Sequence, residues 1–578
     1  MDAIIGTGKI SKREHGIIAE HDVAVPMSDG INMYTDVFRP DGDGKFPALV
    51  AMSAFNKEIQ SDRIWPAATR SRRIHGIPDG VVEAGPTDFF VRRGYVHIIG
   101  SVRGTGKSGG TYNYLSPREV RDVYEVIEWV AGQSWCDGNV GMIGMGYFAA
   151  LHTLVAALEP PHLKCIAPIG GFMDNYREFW YPGGILQRGF ARWLISLVNL
   201  DVHTQESVLK KELGEEGYKE AIERALKDND LSASPEIVEA LNNPDLLSNA
   251  SYLDIILHPT DGPYWRERDI DYHKIKAPIY LGAASHRPGP FNHWHEINAP
   301  KKLISFPPSY MDRPYYQISW EQLRWFDYWL KDIDTGIMDE PAVKIFVNGS
   351  SEWLMVKDFP VPGTRWIPFN LHENRSLCEM EPWPEAASAS YDDTPSKRGS
   401  LKYYSAPMVE NTEIAGPIVL NLYASCRGVD MNLFVSLWDA DPEGKETRLT
   451  EGYLKASHRE LDKKKSKPWL PYHTHTNPQP LVPGLVYPLS ISLNPTANLF
   501  KAGHRIALKI SSSDDKPQSL YEVGIEHLIS QTPTTITIYH SAEYPSHLLL
   551  PITKGNIVGT YVSGGDISLS SKEFMKLD

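Results

Sequence analysis

Residues 137–150 read DGNVGMIGMGYFAA, an apolar strand that runs through a tight glycine turn into a helix. In this layout a serine stands on a strained strand-to-helix turn, in a G-x-S-x-G-like setting, with its hydroxyl raised clear of the sheet as a nucleophile. Here the tip is Gly146, which has no side chain. A glycine adopts the strained turn without steric cost. The backbone N–H of Tyr147, at the helix start, still offers partial positive charge to a carbonyl oxygen. The stretch is therefore suited to holding and polarising a substrate, with no atom of its own to attack it.

Other chemical stretches are weaker. GTGKS at 104–108 resembles part of a phosphate loop, but the first glycine of G-x-x-x-x-G-K-[ST] falls on Ser101 and GGTYNY follows in place of a helix, so nucleotide binding is rejected. HRPGPFNHWHE brings His286, His293, His295 and Glu296 together on a Pro/Gly-rich loop. H-x-H on such a loop is a poor metal pattern, and most of these histidines read as solvent-exposed. His286 is the exception: it lies just past the C-terminal end of a strand, where α/β folds place their sites, and an imidazole there can act as general acid or base. GGFMDNYREFWYPGG offers Asp174, Tyr176, Arg177, Trp180 and Tyr181; Trp180 and Tyr181 read as ligand-facing walls, while for Asp174 and Arg177 a structural hinge role stands at least level with a pocket role. His152, two turns into the helix after the elbow, reads as a core residue.

These residues must be positioned by alternating strands and helices. From about 20 to 155, FPALVAMSAF, GYVHIIGSVRG and NVGMIGM read as buried strands, with PREVRDVYEVIEWVAG as a helix starting at Pro117 and YFAALHTLVAAL as the helix after the elbow. That rhythm predicts a parallel sheet covered on both faces. It returns with APIYLGAAS and KKLISFPPS and closes on the helix WEQLRWFDYWLKD. Between them, helical segments predict an inserted cap. Beyond about 345, short alternating strands separated by turns predict an all-β sandwich of jelly-roll type. The expected division is a core at 1–171 and 271–344, a cap at 172–270 and a β domain at 345–578.

With 578 residues, two or three domains are expected. The net charge of −14 is spread along the chain, which argues against a nucleic-acid or anionic-membrane surface. Four cysteines with no C-x-x-C spacing suggest neither a zinc site nor a disulfide framework. No metal and no cofactor is called for. The absence of a signal-like segment or a membrane-length apolar run makes a cytoplasmic, soluble protein the expectation, with a small-molecule substrate as its partner and self-association left open.

VRGTGKSGG (102–110), WCDGNVGMIGMGY (135–147), FDYWLKDIDTG (326–336), AGPIVLNLYAS (415–425), EGYLKASHRE (451–460) and KAGHRIALKISSSD (501–514) occur in one order along the chain. In these motifs the sequence resembles the cocaine-esterase and X-prolyl dipeptidyl-peptidase (CocE-like) family over nearly its whole length. The resemblance implies an α/β-hydrolase core with a helical cap and a C-terminal jelly roll. It also implies a Ser-Asp-His triad, with an oxyanion hole made by the N–H after the serine and a tyrosine hydroxyl. Carried over by position, the serine falls on Gly146 and the tyrosine on Phe55. The aspartate falls on Ser285 or His286, and the histidine on Tyr310 or Met311. All four chemical positions differ while the framework motifs remain, which reads as a degenerate triad. His458 and His504 match framework motifs, which implies structural roles.

The leading expectation is an enzyme that binds a largely apolar small molecule between core and cap. It would promote a non-hydrolytic step such as cyclisation, isomerisation, elimination or retro-aldol cleavage, of the kind found in natural-product biosynthesis. Tyr147, His286 and Tyr310 are its acid/base or hydrogen-bonding candidates. Phe55, Gly146, Trp180, Tyr181, Ser285 and Met311 are the substrate-lining ones. The alternatives are an ester or amide hydrolase that is inactivated or uses displaced residues, and a non-catalytic binding protein.

Overall fold

The computed structural model describes residues 9–555 apart from 62–78, 81, 172, 190–201, 284–287, 308–315 and 518–524. A ten-stranded sheet runs in the order Ile17–Pro26, Asn32–Pro40, Val96–Ser101, Phe46–Ser53, Cys136–Met145, Leu163–Ile169, Ile279–Ala283, Lys301–Ser305, Val343–Val347 and Glu352–Val356. From Val96–Ser101 to Val343–Val347 neighbouring strands are parallel; two antiparallel-paired strands extend the first edge and one, Glu352–Val356, extends the other. Parallel strands are covered on both faces, which is why these read as continuous apolar runs. The helices Pro117–Ala131 and Tyr147–Ala156 contribute mainly to one core cluster, and Tyr316–Lys331 to another.

Local chemistry sets the helix ends. Ser116 accepts the Glu119 N–H and Pro117 opens the helix that stops before Gly132, the arrangement that satisfies an otherwise unbonded donor. Asp327 of the closing helix accepts from the Tyr95 hydroxyl at 2.7 Å and from both the N–H and hydroxyl of Ser11 at 2.6 Å. The FDYWLKD motif thus fastens the N-terminal segment to the sheet. Arg103 in the VRGTGKSGG loop holds Asp122 through two 2.7 Å bonds, which gives this loop a structural task.

Helical segments Val208–Lys227, Pro235–Asn242 and Ala250–Ile256 are inserted between the strands Leu163–Ile169 and Ile279–Ala283. An eleven-stranded antiparallel sheet system forms the C-terminal β domain, with its own core cluster. The boundary expected at 345 needs correction. It falls inside Val343–Val347, which pairs with Lys301–Ser305, and Glu352–Val356 still belongs to the first sheet. The first strand of the β domain is Arg365–Leu371. Alternating strands look alike in sequence whichever sheet they join, so the change of sheet left no signal.

Candidate active site

Cys136–Met145 lies between Phe46–Ser53 and Leu163–Ile169, parallel to both. At its end Gly146 takes φ 60°, ψ −119°, and the helix Tyr147–Ala156 follows with all ten residues buried. The turn is pinned: Gly146 N–H donates to the Ile169 carbonyl at 3.2 Å, and Met145 N–H to the Glu83 carbonyl at 3.0 Å. Two glycines here differ in kind. A Cβ on Gly144 would stand 2.5 Å from that of Phe148, so strand and helix could not approach. Among the described residues, a Cβ on Gly146 would meet nothing nearer than the Glu83 carboxylate, Oε2 at 3.7 Å and Oε1 at 3.8 Å. The described residues thus leave room for a tip side chain, and a buried carboxylate borders it.

Glu83 was not among the sequence candidates. It stands in a turn before the short helix Thr87–Val91, and one acceptor, Gln60 Oε1, takes both the Glu83 N–H at 2.9 Å and the Ala84 N–H at 3.1 Å. Gln60 is itself buried. No motif marks VVEAGPTDFF; only the folding of this turn onto the elbow strand brings the carboxylate to Gly146.

The Tyr147 side chain is committed to its neighbours. Its phenol donates to Glu119 at 2.8 Å, stands 3.3 Å from the Tyr112 hydroxyl and accepts the Leu115 N–H at 3.4 Å. Burial pushes the Glu119 carboxyl up to about 8 despite the Tyr147 bond, so the acid is protonated at neutral pH. Burial likewise raises the Tyr147 phenol well above its ordinary value. The N–H of Tyr147 lies in the first helical turn, where no earlier carbonyl of the helix can accept it. Phe55 supplies no hydroxyl to accompany it. Its ring packs on Tyr147 with centroids 5.8 Å apart, and its N–H donates to Ser53 Oγ at 2.9 Å.

Trp180 ends the π-helical turn Asn175–Trp180 and is buried edge-on to Tyr114, with centroids 5.5 Å apart. Tyr181 departs from the expected ligand wall. Its hydroxyl donates to the Ile255 and Ile256 carbonyls at 3.0 and 3.1 Å, and its ring stacks on Tyr176, so it braces the inserted helices. Arg177 ties Asp174 (3.0 Å) and Asp261 (2.6 Å) to the His473 and Thr474 carbonyls of the β domain. Burial opposes the Asp174 carboxylate, but Arg177 outweighs it and holds its pKa below the ordinary value.

Ser285 and His286, and Tyr310 and Met311, lie outside the described residues. The strands that precede them, Ile279–Ala283 and Lys301–Ser305, end on the same sheet edge as Met145. His293 is not the exposed loop residue expected. Its ring stacks on Tyr272 and lies 3.2 Å from Glu296 and 3.6 Å from Glu178. Burial acts to lower its pKa, yet these carboxylates raise it to about 10. His152 is buried on the elbow helix and burial lowers it to about 3. His504 bonds Asp439 at 2.7 Å and His458 faces His475, both within the β domain. Among the described residues no group of three or more His, Cys, Asp or Glu is arranged to hold a metal, and no helix is long and apolar enough to cross a membrane.

The profile of the X-Pro dipeptidyl-peptidase (S15 family) matches residues 29–307, and that of the X-Pro dipeptidyl-peptidase C-terminal non-catalytic domain matches 335–549. The chain belongs to the CocE-like family of α/β-hydrolases. It is similar to the cocaine esterase of Rhodococcus sp., 25% identical over 92% of this chain and 98% of that protein. The solved structure of a CocE/NonD family hydrolase from Staphylococcus aureus is 28% identical with a TM-score of 0.76, covering 93% of this chain and 94% of its own. An α-amino acid ester hydrolase, 18% identical, shares the fold with a TM-score of 0.73 over 93% of this chain and 97% of its own. The comparisons place the protein among esterase and peptidase hydrolases, and they give no support to a cyclase or to a role in natural-product biosynthesis.

Proposed function

We propose that the protein hydrolyses a carboxylic ester or amide held between the core sheet and the inserted 172–270 segment, with water as the attacking group. The elbow carries this reading. Gly146 keeps the strained turn that orients the Tyr147 N–H, yet offers no oxygen to bear an acyl group. The cocaine esterase likeness supports an ester or amide of modest size.

The chemistry follows from what the elbow keeps and lacks. A carbonyl oxygen bonded to the Tyr147 N–H is polarised most strongly when it becomes an oxyanion, so this donor favours the tetrahedral adduct over the substrate. The second donor implied by the family falls on Phe55, and loss of one such donor costs about 10²–10³ in rate. The enzyme therefore works best on activated acyl groups. A panel of nitrophenyl esters and aminoacyl nitroanilides tests this: hydrolysis insensitive to fluorophosphonates is expected, and complete fluorophosphonate inactivation contradicts it.

One observation favours a second reading, the non-hydrolytic step. An elbow without a side-chain oxygen, beside a carboxylate, also suits proton abstraction next to a polarised carbonyl. Mass spectrometry of turned-over substrate separates the two: gain of one water marks hydrolysis, and unchanged mass marks rearrangement.

A further inference from the structure

We propose that Glu83 is the catalytic base of this site, taking a proton from the water that attacks the substrate above Gly146. The assignment rests on the hydrolytic reading.

Three observations carry it. Glu83 Oε2 and Oε1 lie 3.7 and 3.8 Å from the position of a Cβ on Gly146. A hydroxyl oxygen carried by such a Cβ would reach within about 3 Å of the carboxylate, ordinary hydrogen-bond distance, and a water held in that place does the same. The residue is also fastened rather than loosely placed. Gln60 fixes its N–H, and its carbonyl accepts the N–H of Met145, the residue before the elbow tip. A base held within hydrogen-bond reach by rigid neighbours is what general-base catalysis requires. Finally, among the described residues, two other ionisable groups near the elbow are turned to other surroundings. Glu119 bonds the Tyr147 phenol and His152 is buried in the core, so neither is placed to act at the tip.

The step balances. As the water oxygen bonds to the acyl carbon, its proton passes to the Glu83 carboxylate and the carbonyl π pair moves onto oxygen, where the Tyr147 N–H meets it. Collapse of the adduct reforms the carbonyl and breaks the bond to the leaving oxygen or nitrogen. That atom takes the proton back from the Glu83 carboxyl. One water is consumed, and the enzyme returns to its starting state with no oxidation or reduction.

Glu83→Gln keeps the shape of the side chain and removes the base. With 4-nitrophenyl esters, kcat/KM of the variant falls by about 10²–10⁴, the unfolding temperature stays close to the parent's, and the acidic limb of the pH–rate profile disappears. Activity within threefold of the parent overturns the assignment. A second probe does not depend on turnover. The epoxide 1,2-epoxy-3-(4-nitrophenoxy)propane esterifies accessible active-site carboxylates, and peptide mapping of the labelled protein finds the ester on Glu83. A label on other carboxylates only, or none, overturns the assignment. A Glu83 label in a protein that hydrolyses no ester or amide removes the hydrolytic reading and keeps Glu83 as the base of the site.

Discussion

The Glu83 carboxylate stands 3.7 Å from the place a side chain on Gly146 would begin, at the end of the central strand of the sheet. The elbow tip carries no side-chain oxygen, and among the described residues this carboxylate is what borders it. On the proposed hydrolytic reading, the carboxylate activates a water at that position and the helix-start N–H of Tyr147 stabilises the adduct.

Placing a serine at the elbow tip should lower activity rather than raise it. In Gly146→Ser the side chain fits among the described residues, none of which has an atom nearer than 3.7 Å to its Cβ. The left-handed φ of 60° makes it strained, at about 1–3 kcal/mol. The new hydroxyl takes the place of the attacking water beside Glu83. Denaturant unfolding is expected to show the stability loss, and ester hydrolysis to fall at least about tenfold. A gain in rate, with fluorophosphonate labelling at 146, contradicts the account.

Glu119 makes stability depend on pH. Its pKa rises from 4.5 to about 8 on burial, so the folded state holds a proton that the unfolded state releases. Its contribution is fully present below about pH 4.5 and is lost as pH rises to about 8, a change on the order of a few kcal/mol. Glu119→Gln keeps an acceptor for the Tyr147 hydroxyl and removes the titration. Unfolding measured at several pH values should show the variant gaining on the parent across that window.

His293 acts in a higher window. Burial opposes its charge, but Glu178 and Glu296 lift its pKa from 6.5 to about 10. The stabilisation is complete below about pH 6.5 and is lost as pH rises through 10, on the order of 1–3 kcal/mol. His293→Gln should be less stable than the parent at pH 6 and approach it above pH 10. Equal differences at both pH values would contradict the assigned charge.

Arg177 joins the π-helical turn to the β domain. Arg177→Met leaves Asp174 and Asp261 buried without their cation and two carbonyls of the β domain without their donor. Breaking a buried pair by removing one partner costs about 3–5 kcal/mol. Thermal unfolding should show this loss, and a Tm within a degree of the parent would argue against the tie.

Much of this molecule was legible in its sequence where periodicity and turn chemistry act locally. Phe46–Ser53, Val96–Ser101 and the elbow strand are buried apolar runs, and Pro117 after Ser116 marks a helix start. The elbow itself was legible because a strand, a glycine turn and a helix are contiguous in the chain. Glu83 was not, since it is separated from Gly146 by the intervening strand Val96–Ser101 and helix Pro117–Ala131 and meets it only through the sheet. Tyr181 looked like a pocket wall because an aromatic beside glycines carries no sign of the carbonyls its hydroxyl will find. His293 looked exposed for the same reason: the Glu178 that charges it comes from the π-helical turn Asn175–Trp180, more than a hundred residues away in the chain.

The most direct test of water activation by Glu83 is a single turnover in oxygen-18 water with enzyme in excess, followed by mass spectrometry of the released acid and of the peptide carrying Glu83. The account predicts the heavy oxygen in the released acid and none in Glu83. Heavy oxygen in Glu83 with an unlabelled acid would show that the carboxylate attacks the acyl carbon itself, and would contradict it.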